Sequence, residues 1–184
     1  MRRNIDAWWP HVEAGIEAIV VTASGCGVQV RDYAHLLADD AVYAEKAAKI
    51  SALCRDPSEI LAAESAALRA LLPAGERGKL AFHSPCTLQH GLKIRGVIEE
   101  LLTAAGYQLT PVAESHLCCG SAGTYAVLQP EISTQLRTRK LDALNAGSPA
   151  LIATANIGCL THLQAGGETP VRHWVELIDE LLCA

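Results

Sequence analysis

The stretch His116-Leu117-Cys118-Cys119-Gly120-Ser121-Ala122-Gly123 constrains this chain more than any other. Successive side chains of a regular element cannot both enter one packed face, so two adjacent cysteines make a poor core segment. In a sharply turned loop they can reach a single object together. Gly120 and Gly123 permit that turn, because glycine adopts positive φ at little steric cost. An object that takes several thiolates at once is a metal ion or an iron–sulfur cluster. The competing reading, two small buried hydrophobes, weakens with every further cysteine that reaches the same place.

Seven cysteines are present, at positions 26, 54, 86, 118, 119, 159 and 183. Their odd number argues against a disulfide framework. So does the N-terminus, where Met1-Arg2-Arg3-Asn4 leads into Trp8-Trp9-Pro10 rather than an apolar signal core. The chain reads as unsecreted and cytoplasmic, where clustered cysteines signify metal or redox chemistry. Its 184 residues are 50% hydrophobic and 19% charged, as in a globular domain. A net charge of −5 without a basic run excludes nucleic acid as a partner. No stretch approaches the roughly 20 apolar residues of a membrane span.

Taken in order, residues 4–17 read as a helix that enters the strand Ala18-Ile19-Val20-Val21-Thr22-Ala23. Ser24-Gly25-Cys26-Gly27 turns into a helix ending near Leu37, and another helix spans about 41–53. Asp56-Pro57-Ser58-Glu59 is a capping-box helix start, and that helix is predicted to run to about Leu72. Lys79–Ser84 is the second strand, followed by Pro85-Cys86-Thr87 and one long helix to about Ala105. A strand over Tyr107–Val112 precedes the Cys118-Cys119 loop. Pro130 opens a helix to Asn145, Ala150–Thr154 is the fourth strand, and Asn156-Ile157-Gly158-Cys159 turns toward His162. A short segment near Val171-Arg172-His173 leads to a last helix, 174–182.

Alternating strands and helices predict an α/β fold, an open and mostly parallel sheet with helices on both faces. Cys26, Cys86, Cys118-Cys119 and Cys159 then each follow a strand, which places them at the carboxyl edge where parallel sheets build their sites. Cys54 and Cys183 fall in helical stretches and read as packing or surface residues. Val21-Thr22-Ala23-Ser24-Gly25-Cys26 also echoes Ile152-Ala153-Thr154-Ala155-Asn156-Ile157-Gly158-Cys159, which suggests two repeats. Cys159 and His162 share one helical face, so His162 joins the candidate ligands Cys86, Cys118, Cys119 and Cys159. His83 and His116 flank the site as possible donors to sulfur or as surface residues. No G-x-G-x-x-G follows any strand, which removes the nucleotide-pocket alternative.

Cys86, then Cys118-Cys119-Gly120, then Cys159-Leu160-Thr161-His162 resembles the cysteine-rich CCG domain of the heterodisulfide reductases and their relatives. That family's pattern is a cysteine, a spacer of about thirty-odd residues, Cys-Cys-Gly, a similar spacer and Cys-x-x-Cys. His83-Ser84-Pro85-Cys86, Ala155–Cys159 and Val171–Trp174 are most similar to the branch of iron–sulfur subunits of glycolate oxidases. The resemblance, from about Asn4 to Leu182, implies the tail of a first CCG repeat over 1–55 and a complete second repeat over 56–184. It implies an iron–sulfur electron-transfer subunit, itself non-catalytic, which relays electrons from a flavoprotein partner to an acceptor. Peripheral association with the inner face of the membrane would come through that complex. This sequence departs from the family pattern where His162 replaces the last cysteine. A [4Fe–4S] cluster held by four cysteines, or by three with His162, is easier to build here than a five-cysteine cluster. Cys26 belongs to the incomplete repeat and is its one candidate ligand. The alternatives are a structural zinc site and a metal-free α/β interaction module.

Overall fold

A computed structural model of the chain describes residues 1–183. The N-terminal part contains α1 (Arg2–Glu13), β1 (Ile19–Val20), α2 (Ser24–Arg31), α3 (Tyr33–Leu36), α4 (Ala44–Leu53) and β2 (Cys54–Arg55). Then come α5 (Pro57–Ala63), α6 (Ser65–Leu71), β3 (Lys79–His83), a π-helical turn (Thr87–Gly91), α7 (Val97–Ala104) and β4 (Gln108–Leu109). The chain continues with α8 (Tyr125–Leu128), α9 (Pro130–Asn145), β5 (Leu151–Thr154), α10 (Ile157–Gln164), β6 (Val171–His173) and α11 (Trp174–Leu182).

The main sheet has four strands in the order β4-β3-β5-β6, and all its pairs are parallel. Period-two alternation along β3 divides the core into two layers. Leu80 and Phe82 join Ala153 and the helical residues Ile98, Leu102, Trp174 and Ile178 on one face. Ala81 joins Ile152, Val171, Leu141, Leu144 and Leu163 on the other, together with Cys119 and Cys159. The sheet is therefore covered by α7 and α11 on one side and by α9 and α10 on the other. This is the predicted α/β architecture.

Several elements differ from the sequence expectation. The strand predicted over 18–23 does not join the main sheet. It pairs in parallel with β2, through Ile19↔Cys54 and Val20↔Arg55, in a separate two-stranded sheet. A two-residue strand carries no periodicity, so β2 left no signal, and Cys54 lies in it rather than in a helix. Cys54 is buried among Ile5, Val30, Tyr33, Ala47 and Ile50, as a packing residue should be. The helix expected over 57–72 breaks at Glu64, which leaves helical backbone at φ −96° and ψ 19°. The long helix expected after Cys86 is also absent. Its place is taken by the π-helical turn and then by left-handed backbone at Lys93 (φ 60°) and Gly96 (φ 77°), before α7 begins. The turn is pressed against α2, so a Cβ at Gly91 would lie 2.4 Å from Val28 Cγ2. Gln89 Nε2 also donates to the carbonyls of Ser84 (3.0 Å) and Ser115 (2.9 Å), tying the turn to two loops at once.

The two Gly-Cys turns have similar surroundings. In each, a strand and a Gly-Cys helix lead to a parallel neighbouring strand and a helix opened by a capping box, with α3 and α4 intervening in the first. Asp56 caps α5 with Glu59 as its reciprocal partner, and His173 caps α11 with Glu176. His173 Nδ1 accepts from Val175 N, which fixes the proton on Nε2, and Nε2 donates to Thr22 O at 2.9 Å. The two strand-to-helix turns also meet directly, since Ser24 N donates to Ala155 O at 3.2 Å.

Candidate metal centre

Because the main sheet is parallel, every strand delivers its C-terminal loop to one edge. β3 ends at His83 and presents Cys86 three residues later. β5 ends at Thr154 and leads into α10, where Cys159 occupies the first turn. Helix N-termini favour anions, so this position suits a thiolate. The loop after β4 supplies Cys118 and Cys119. Gly120 turns that loop at φ 93°, where a Cβ would lie 2.3 Å from Ser133 O, so only glycine fits.

The four sulfurs form a connected set. Cys86 interacts with Cys118, Cys118 with Cys119, and Cys119 with Cys159. Cys119 and Cys159 are 1% and 4% exposed, whereas Cys86 and Cys118 are half-buried. The neighbouring Cys119 and Cys86 thiols, with a hydrogen bond from Gly120 N, hold the Cys118 thiol well below the usual thiol range. Cys159 is held down to about 5 by Cys119, by His83 and by Asn156. The adjacent Cys118 pushes Cys86 and Cys119 up. Sulfurs coupled this closely titrate as a set rather than one by one. Gly120 N donates to Cys118 Sγ at 3.3 Å, and Asn156 Nδ2 donates to Cys159 Sγ at 3.6 Å. Donors to sulfur of this kind tune a metal site from outside its ligands.

The structure places the two histidines differently. His162 is half-buried, and its Nε2 lies 3.3 Å from Ser133 Oγ, which itself donates to Gly120 O at 2.9 Å. His83 is 1% exposed, and its Nε2 has no hydrogen-bond partner among the described residues. The donor atoms of His83, Cys119 and Cys159 all lie within 4.8 Å of one another. The signal for His83 was its parity with Ala81 in β3, which turns it toward the face carrying Cys119. Cys26 is exposed in the first turn of α2 and is not among the hydrogen-bonding partners of the four sulfurs. Its neighbour Gly25 abuts Asn156, so it stands at the rim of the site. Cys183 is exposed at the end of α11.

One further charge stands behind the Cys118-Cys119 turn. Lys140 of α9 is 2% exposed, and its Nζ donates to Glu114 O at 2.8 Å. Burial holds its ammonium below the usual lysine range, opposed by Cys119, Glu114 and Cys118. A buried cation beside several sulfurs is electrostatically matched to a site that gathers negative charge.

Comparison with known proteins agrees with this geometry. Residues 80–164, which contain all four sulfurs and both histidines, match the family of the CCG cysteine-rich domain. The chain is 53% identical over 181 residues to the glycolate oxidase iron-sulfur subunit of Escherichia coli K12, covering 98% of this chain and 44% of the relative. It is 32% identical over 179 residues to lactate utilization protein A of Exiguobacterium sp., covering 91% of this chain and 70% of the relative. The chain belongs to one family with lactate utilization protein A and carries a CCG cysteine-rich domain over residues 80–164. A probable glycolate oxidase iron-sulfur subunit of Bacillus subtilis is 30% identical, with 83% of this chain and 34% of that protein covered. The chain thus spans less than half the length of the two glycolate oxidase subunits it matches. No helix among the described residues is long and apolar enough to cross a membrane.

Proposed function

We propose that this chain carries the iron–sulfur site of an electron-transfer subunit in a glycolate or related 2-hydroxyacid oxidase. The observation that carries the proposal is the convergence of Cys86, Cys118, Cys119 and Cys159 from three separate loops, with the Cys118 and Cys159 thiols held below the ordinary thiol range. Soft sulfur donors in a largely buried setting fit an iron–sulfur cluster, and a [4Fe–4S] cluster takes four cysteines. Such a cluster, when bound, supplies a one-electron redox centre. Cys86, Cys118, Cys119 and Cys159 would hold it. Gly120 N and Asn156 Nδ2 would donate to sulfur, and Lys140 would offset negative charge. The names of the E. coli and B. subtilis relatives support the choice of oxidase. A flavoprotein partner would oxidise the hydroxyacid and pass its electrons singly through this subunit to an acceptor. Association with the membrane, where it occurs, would be peripheral and through that complex, on the cytoplasmic side.

Anaerobic purification tests the proposal. Brown protein with iron, acid-labile sulfide and a low-temperature EPR signal is expected. Colourless protein that takes up no iron on reconstitution would overturn it. A second reading has its own observation, because donor atoms within 4.8 Å are close enough for one tetrahedral ion. Colourless protein holding one zinc per chain would favour that structural site.

A further inference from the structure

The fold adds an imidazole to the cysteines that sequence spacing identifies. His83 closes β3 in register with Thr154 of β5. Thr154 Oγ1 donates to His83 O at 3.0 Å, which anchors the strand end that carries the ring. The ring is turned to the layer of Cys119 and Cys159, and its Nε2 is buried without a partner among the described residues. An unpaired ring nitrogen at this depth is costly unless something occupies it. Among the described residues, the atoms gathered with the ring that suit a metal are the sulfurs of Cys119 and Cys159, all within 4.8 Å. His162 is differently placed, since its Nε2 is engaged with Ser133 and, through it, with the carbonyl of Gly120.

We propose that His83 Nε2 is a direct ligand to iron at the Cys119–Cys159 side of the site, in place of one sulfur of that pair, and that His162 is a positioning residue that braces the Cys118-Cys119-Gly120 turn. This assignment rests on the site holding iron, as argued above. A neutral imidazole leaves more positive charge on the metal than a thiolate does, so the centre has a higher potential than an all-cysteine one.

The test uses the full chain, labelled with ¹⁵N-histidine, reconstituted anaerobically with iron and sulfide, and studied by pulsed EPR. Wild type is expected to show one strong histidine-nitrogen coupling that changes from ¹⁴N to ¹⁵N with the label. His83→Leu should abolish the coupling and lower retained iron at least two-fold, while His162→Gln should keep the coupling. Should His83→Leu fail to fold, His83→Cys places a thiolate at the same depth. It is expected to keep the cluster, lose the coupling and lower the potential. A cluster without strong nitrogen coupling, or a coupling lost in His162→Gln and kept in His83→Cys, overturns the His83 assignment and leaves the iron reading standing. Wild type that takes up no iron overturns both.

Discussion

Substituting Gly120 with alanine should damage this protein far more than the same change at Gly123, although both glycines have positive φ in one loop. Gly123 sits at φ 56° with nothing within 4 Å of an added Cβ. Its replacement costs only the backbone term, about 1 kcal/mol. Gly120 sits at φ 93°, and an added Cβ would lie 2.3 Å from Ser133 O, 3.1 Å from Ser133 C and 3.2 Å from His162 Nε2. Two of those atoms are backbone at the start of α9 and cannot swing aside. Overpacking of that kind adds about 1–3 kcal/mol, so Gly120→Ala should lose about 2–4 kcal/mol in all. With an m-value of about 2–3 kcal/mol/M, the urea midpoint should fall by about 1 M or more, against less than about 0.5 M for Gly123→Ala. The same displacement would pull Cys118 and Cys119 out of position, so iron retained after anaerobic reconstitution should fall with it. Equal midpoints and equal iron in the two variants would refute the idea that the turn is locked against α9.

Cys119→Ser should cut bound iron several-fold, because it removes a sulfur from the middle of the connected set, whereas Cys183→Ser should match wild type; iron and sulfide analysis decides. Lys140→Met removes a buried cation from beside Cys119 and Cys118, so the midpoint of a redox titration should move to lower potential. Asp56→Ala removes the cap of α5 and should cost about 1–2 kcal/mol in denaturant unfolding. Burial raises the Asp56 carboxyl above its ordinary 3.8, so the folded state binds the proton more tightly than the unfolded state does. Stability from this group is therefore greatest at low pH and declines as pH rises from about 3.8 through the raised value; Asp56→Asn, which keeps the cap, should flatten that slope.

Much of this was legible in the sequence because the informative signals are local. The apolar runs of β3 and β5, the capping box at Asp56 and the Gly-Cys helix starts each lie within a few residues. Together they were enough to bring four cysteines to one edge. What stayed hidden depends on distant pairings. β2 is a strand only because Ile19 and Val20 lie alongside it. The burial of His83 depends on its register with Thr154, 71 residues away. His162 stood three residues after Cys159 and so looked like the better ligand. Only the position of Ser133, on a helix far along the chain from both, shows what its Nε2 meets. The break after Cys86 has a similar origin, since Gln89 must reach Ser84 and Ser115 together and a straight helix would carry it away.

The uneven depth of the four sulfurs sets an order of assembly. Cys86 and Cys118 lie at partial exposure, while Cys119 and Cys159 lie beneath them. An arriving ion meets the outer pair first and reaches the inner pair only by passing it. Filling thus proceeds inward, and loss proceeds outward. A chelator, an alkylating reagent or an oxidant meets the outer pair first, and the inner pair is the last to be touched.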